Sequence, residues 1–184
     1  MRITVLWEDQ RGGIAKGFGP HELLVSCVAD ERQCSRDEVK EHIVSAPKKG
    51  NGTVIKALKQ DLDKLHGPVY AVLDRDKILE LWPPGERPPA CLSGIRKAMA
   101  DKAPGSYDLI LLSENVETLV TACCHAAGDG VPRSKPSPDE RDRILGKLAW
   151  GDANARGNVR NAVPSFERLV GRVASRLSTV IPRR

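Results

Sequence analysis

The stretch that most constrains the fold runs from Pro68 to Lys77 and reads PVYAVLDRDK. The apolar run Val69 to Leu73 has the length and the β-branched and aromatic content of a buried parallel strand. It stops abruptly at Asp74-Arg75-Asp76. Before it, Thr53 to Leu65 carries Val54, Ile55, Leu58, Leu62 and Leu65 at helical spacing, and Gly67-Pro68 ends that helix. A helix delivered by a short turn into a buried strand predicts a βαβ unit. In open α/β sheets, ligands sit just outside the carboxyl ends of the strands. Asp74 and Asp76, spaced i and i+2, can point to the same side of an extended chain there. Such oxygen donors suit Mg²⁺ or Mn²⁺. Asp after a strand also makes turns and helix caps, so spacing alone leaves a structural role open.

The same rhythm extends both ways. Ile3 to Trp7 predicts a first strand, followed by a loop with glycines at 12, 13, 17 and 19. His21 to Asp30 predicts a helix, which Ser35 to Glu41 extends or restarts. His42 to Ala46 predicts a second strand, and Pro47 to Gly52 a turn. Leu81 to Pro89 holds four prolines and predicts a loop or lid. A helix over Leu92–Ala103, a strand over Tyr107–Leu112 and a helix over Glu114–His125 capped by Ser113 come next. Ser137-Pro138-Asp139-Glu140 is a helix start, with the hydroxyl at the cap and Pro at the first turn. Gly151 to Pro164 reads as loop, and Ser165 to Thr179 as a last amphipathic helix. The expected fold is α/β: an open, mostly parallel sheet of about four strands flanked by helices. Residues 1–130 form its core, and 131–184 a basic helical extension packed on that core.

Charge divides along the same line. From Val131 onward stand 12 Lys and Arg against 5 Asp and Glu, a net of +7; the chain total of +5 leaves −2 for the first 130 residues. An acidic front with a basic end hints at polyanion contact, against the plainer reading of a solubilising surface. Arg168, Arg172 and Arg176 form a stripe on the last helix. Lys48 and Lys49 stand beside the second strand. No apolar run approaches the ~20 residues that span a bilayer. Five cysteines without CxxC spacing, and no signal segment at the start, point to reduced thiols and a cytoplasmic protein. Gly50-Asn51-Gly52-Thr53 lacks the GK[ST] of a phosphate-binding loop, and no G-x-S-x-G is present.

Taken together, the strand ends form a constellation. The first strand ends Trp7-Glu8-Asp9, the third Asp74-Arg75-Asp76, and the fourth Ser113-Glu114-Asn115, with Glu117 one turn on. Parallel strands present these ends on one edge, and clustered carboxylates repel unless a cation sits among them. The order strand-Glu, helix, strand, helix, strand-Asp-x-Asp resembles the Toprim fold of topoisomerases, primases and overcoming-lysogenization-defect nucleases. The stretch LILLSENVETLV (Leu109–Val120) and the closing PSFERL (Pro164–Leu169) are similar to segments of small Toprim-like proteins of bacterial defence islands.

The resemblance implies that Glu8, Asp74 and Asp76 are catalytic and hold Mg²⁺ or Mn²⁺, with Glu114, or else Glu117, as a further ligand. It implies phosphoryl transfer on nucleic acid, with DNA foremost, in antiphage defence or DNA repair. Lys48, Lys49, Arg168, Arg172 and Arg176 are the expected nucleic-acid contacts. The family follows its Glu with Gly; here Asp9 follows, which leaves Asp9 as an alternative ligand. An ATPase is an expected partner, a membrane is not, and a homo-oligomer is left open. The competing reading is a non-catalytic scaffold subunit that binds an ATPase; a third is a phosphate-ester enzyme with a small substrate.

Overall fold

The computed structural model describes residues 1–9, 17–65, 67–74, 92–103, 105–112 and 116–181. Four strands form one all-parallel sheet: β1 (Ile3–Asp9), β2 (Ile43–Lys49), β3 (Val69–Asp74) and β4 (Asp108–Leu112). Their spatial order is β2-β1-β3-β4, with every neighbouring pair parallel. The eight α-helices among the described residues are α1 (Gly19–Arg32), α2 (Arg36–Lys40), α3 (Asn51–Gln60), α4 (Leu92–Lys102), α5 (Val116–Ala127), α6 (Pro138–Ala149), α7 (Ala153–Ala162) and α8 (Pro164–Leu177). The fold is therefore α/β, with helices on both sheet faces.

Strand alternation sorts the core into two layers. Ile3, Val5 and Trp7 of β1 join Tyr70, Val72, Ile110 and Leu112 on one face, against α1, α5 and the carboxyl-terminal helices. Leu6, Ala71, Leu73, Leu109 and Leu111 form the other face, against Val54 and Leu58 of α3 and Ile95 and Met99 of α4. Helices α6 to α8 contribute Leu145, Val159, Phe166 and Val173 to the first layer. At Gly19 an added Cβ would lie 2.7 Å from the Cα of Asp142, so only glycine lets α1 and α6 approach this closely. Gly67 has φ 66°, and a Cβ there would strike the Arg2 carbonyl oxygen at 1.9 Å. That position requires glycine for the turn into β3.

Three expectations are corrected. The second strand does not stop at Ala46 but continues through Pro47, Lys48 and Lys49. Proline is tolerated because β2 is an edge strand. The Ile3 amide donates to the His42 carbonyl at 2.7 Å, so the even-numbered residues of β2 bond to β1 and the nitrogen of Pro47 faces outward. The helix expected to run to Leu65 ends at Gln60, and a short 3₁₀ turn covers Leu62–Lys64. The stretch Gly151–Pro164 is not a loop, because it contains α7. Only Val159 and Arg156 of that helix are buried, and its arginines tie it in place. Arg156 pairs both oxygens of Asp30 at 2.6 and 2.8 Å and donates to the carbonyls of Ala149 and Gly151. Arg160 reaches Glu31 at 2.8 Å and also pairs with Glu167. The proline-rich stretch 81–89, Ser113, Trp82 and Cys91 lie outside the described residues.

Candidate functional site

The carboxyl ends of the four strands lie along one edge of the sheet. Register pairs Glu8 with Lys48 and Asp9 with Lys49 on one flank of β1. On the other flank, Leu6 pairs with Ala71 and Trp7 with Val72, so counting on sets Asp9 level with Asp74. The edge thus reads, strand by strand, Lys48-Lys49, Glu8-Asp9, Asp74 and Leu112. Glu8 and Asp74 are each only 4% exposed, whereas Lys48 is half-buried and Lys49 exposed.

Alternation puts the two described acids in different rows. Glu8 continues the Leu6 row on the α3 face, and Asp74 continues the Val72 row on the α1 face. The Glu8 side chain nevertheless turns over the strand end. Its Oε2 accepts a hydrogen bond from the backbone amide of Asp74 at 3.2 Å. A buried carboxylate is costly without such donors, and a strand-end amide without an in-register acceptor is costly too. One contact reduces both costs and fixes the Glu8 side chain against β3.

Asp76 and Glu114 lie outside the described residues, as does the side chain of Asp9. Glu117, the alternative to Glu114, is in the first turn of α5 and bonds Lys135 at 2.6 Å. Burial pushes its carboxyl up, but the Lys135 hydrogen bond and charge bring it below the usual range. Glu117 is committed to that lysine. Among the described residues, no three Asp, Glu, His or Cys side chains gather where they could hold one ion. Glu8 and Asp74 do supply hard oxygen donors shielded from bulk water. Mg²⁺ commonly takes only one or two protein carboxylates and keeps its other positions for water and phosphate. Glu8 and Asp74 are the described residues that could hold such an ion, with Asp76 two residues beyond Asp74 in the chain.

The arginine stripe is elsewhere. Arg172 pairs with Asp108, the first residue of β4, and its carbonyl accepts from the Tyr70 hydroxyl at 3.4 Å. Asp108 pairs with Tyr70 and Leu112 with Asp74, so Arg172 works at the amino edge of the sheet. Four residues of strand, or ~13 Å, separate that edge from the acids. Arg168 and Arg176 are exposed on the same helix. The structure therefore does not bring the stripe to Glu8 and Asp74; among the described residues, Lys48 and Lys49 are the cations level with Glu8 and Asp9.

Several charged and polar groups escape a reading by spacing alone. His21 Nδ1 lies 2.9 Å from the Ser45 hydroxyl, which also accepts from the Trp7 indole at 3.2 Å. Burial is the main cause that lowers the pKa of His21, with Lys40 and Arg36 adding to it and Glu22 opposing. Arg36 stacks 3.8 Å from the ring centroid of Trp150, which is 71% exposed rather than packed in the core. Only the i, i+4 placement of Arg156 and Arg160 around Val159 could have signalled α7.

The fold and site define an α/β protein with an all-parallel four-stranded sheet and buried acids at adjacent strand ends. No family model and no curated protein matches the chain. Among solved structures, it is similar to the C-terminal region of the Xanthomonas campestris pv. campestris OLD protein, in crystals phased with platinum and with iodine. Each comparison gives a TM-score of 0.38 and 12% identity over 92% of this chain, and covers 94% and 96% of the respective OLD chains. The likeness is loose, and the site is read from this chain's own residues. No helix among the described residues is long and apolar enough to cross a membrane.

Proposed function

We propose that the chain is a metal-dependent phosphoryl-transfer protein of Toprim type that acts on nucleic acid, DNA foremost, as a nuclease component of a prokaryotic defence or repair system. The observation that carries the reading is the convergence of Glu8 and Asp74 on adjacent parallel strand ends, buried and linked through the Asp74 amide. In this reading Glu8 and Asp74, with Asp76, hold Mg²⁺ or Mn²⁺. The bound ion would supply Lewis acidity toward the scissile phosphate. Glu8 takes or returns a proton at the reacting oxygen, or shares the ion. The amide of Asp74 fixes the Glu8 carboxylate and so limits the rotamers it must lose on binding. Lys48 and Lys49, level with Glu8 and Asp9, neutralise the phosphates on the β2 side.

A second reading keeps the fold and drops the chemistry: a scaffold subunit for an ATPase. It is favoured by the same Glu8–Asp74 contact, which serves as a structural tie without any ion. Isothermal titration with Mn²⁺ separates the two. Binding that disappears in Asp74→Asn/Asp76→Asn, with Mn²⁺-dependent cleavage of supercoiled or single-stranded DNA that disappears with it, supports the first. Absence of heat and of cleavage in the wild type leaves the scaffold.

A further inference from the structure

The amino edge of the sheet carries a feature that the acidic site does not use. Two adjoining cavities, of about 200 and 420 Å³, share Tyr107 and Asp108. The smaller is lined by Arg96 of α4 and Arg172 of α8, over a floor that includes Met99 and Leu109. The larger adds Arg176, the next turn of α8. Three guanidiniums from two helices thus border the two cavities, Arg96 and Arg172 the smaller and Arg176 the larger, against a single carboxylate, Asp108, that lines both and is paired with Arg172. The Tyr107 hydroxyl shares its one proton between the carbonyls of Met99 and Ala103, at 3.3 and 3.0 Å, and Tyr107 lines both cavities.

We propose that this hollow is an anion site for a phosphate-bearing ligand, separate from the acids at the opposite edge. Guanidinium forks match phosphate oxygens in pairs. Arg172 is held in place by Asp108 until an incoming phosphate competes for it, and Arg96 and Arg176 close on the anion from either side. The same chemistry is offered by a small phosphate ester and by a nucleic-acid backbone.

The test is titration of the full chain with pyrophosphate, AMP and a labelled oligo-dT. Pyrophosphate binding should fall at least tenfold in Arg96→Ala/Arg176→Ala, whose side chains are exposed and leave the core intact. It should tighten several-fold in Asp108→Asn, a gain that loss of a merely structural pair would not produce. It should be unchanged in Lys56→Ala/Lys59→Ala, two exposed lysines of α3 that line neither cavity, so the loss does not follow from lower positive charge alone. AMP binding as tight as pyrophosphate assigns a small ester; oligo-dT affinity that grows with length and falls in the arginine variant assigns a backbone. No pyrophosphate binding, or binding equal in wild type and the arginine variant, overturns the proposal.

Discussion

The Glu8 carboxylate accepts the backbone amide of Asp74 across two neighbouring strands, at 3.2 Å and in a buried position. Glu8→Gln keeps an acceptor on the same stem, whereas Glu8→Ala leaves that amide buried and unmatched. An unsatisfied buried donor costs about 1–3 kcal/mol. Urea denaturation should therefore show Glu8→Ala destabilised by that amount and Glu8→Gln close to wild type. Equal stability of all three proteins would mean the contact is not made in solution.

Arg156 should be a stability hot spot. Its guanidinium is satisfied by Asp30 and by main-chain carbonyls at the α6–α7 turn, and the residue is buried. Removing one partner of a buried, hydrogen-bonded pair costs on the order of 3 kcal/mol. Arg156→Met, which keeps the length of the stem, should lower stability by about that much, with a parallel loss for Asp30→Ala. The double variant should lose less than the two single losses combined, as a thermodynamic cycle in urea would read.

His21 gives the fold a pH dependence of definite sign. Burial holds its pKa below the ordinary imidazole value of about 6.5, so the unfolded chain binds this proton more readily than the folded one. Its contribution is fully present above the unfolded pKa and is lost as pH falls through the folded pKa, at most ~1.4 kcal/mol per pH unit from one group. Denaturation midpoints should drop below about pH 6.5 from this source. His21→Gln, which can still bond Ser45, should flatten that part of the curve. A wild-type slope retained in the variant would assign it to other groups.

The buried thiols should be inert. Burial is the main cause raising the pKa of Cys27, to about 12, and it raises that of Cys123 as well. The thiolate is the reactive form. Cys27→Ser and Cys123→Ser should leave the number of thiols that react with a disulfide reagent in native protein at pH 8 unchanged. In denaturant all five cysteines of the chain should react. A fast-reacting thiol lost in either variant would contradict the burial.

The sequence made much of this visible, for physical reasons that also explain the misses. The β3 strand was plain because a strand buried on both faces needs an unbroken apolar run, and Val69–Leu73 supplies one. β2 looked shorter than it is because Pro47 reads as a breaker until strand order shows it on an edge. α7 looked like loop because its sequence, ANARGNVRNA, offers little apolar periodicity; its partners Asp30 and Glu31 are more than 120 residues away. Glu8 and Asp74 were legible as strand-end acids. That they occupy opposite rows was not, because row parity depends on the register of β1 against β3, which pairs Trp7 with Val72.

The outward nitrogen of Pro47 has a bearing on how the protein behaves in company. An exposed strand margin invites strands from other molecules to extend the sheet, the first step toward polymerisation. Where β2 forms that margin, Pro47 is itself buried and carries no amide hydrogen on its outer side, and the exposed Lys49 places a positive charge at the end of the strand. Replacing Pro47 with valine would add an amide donor at a buried position and so remove one of the two guards on that border.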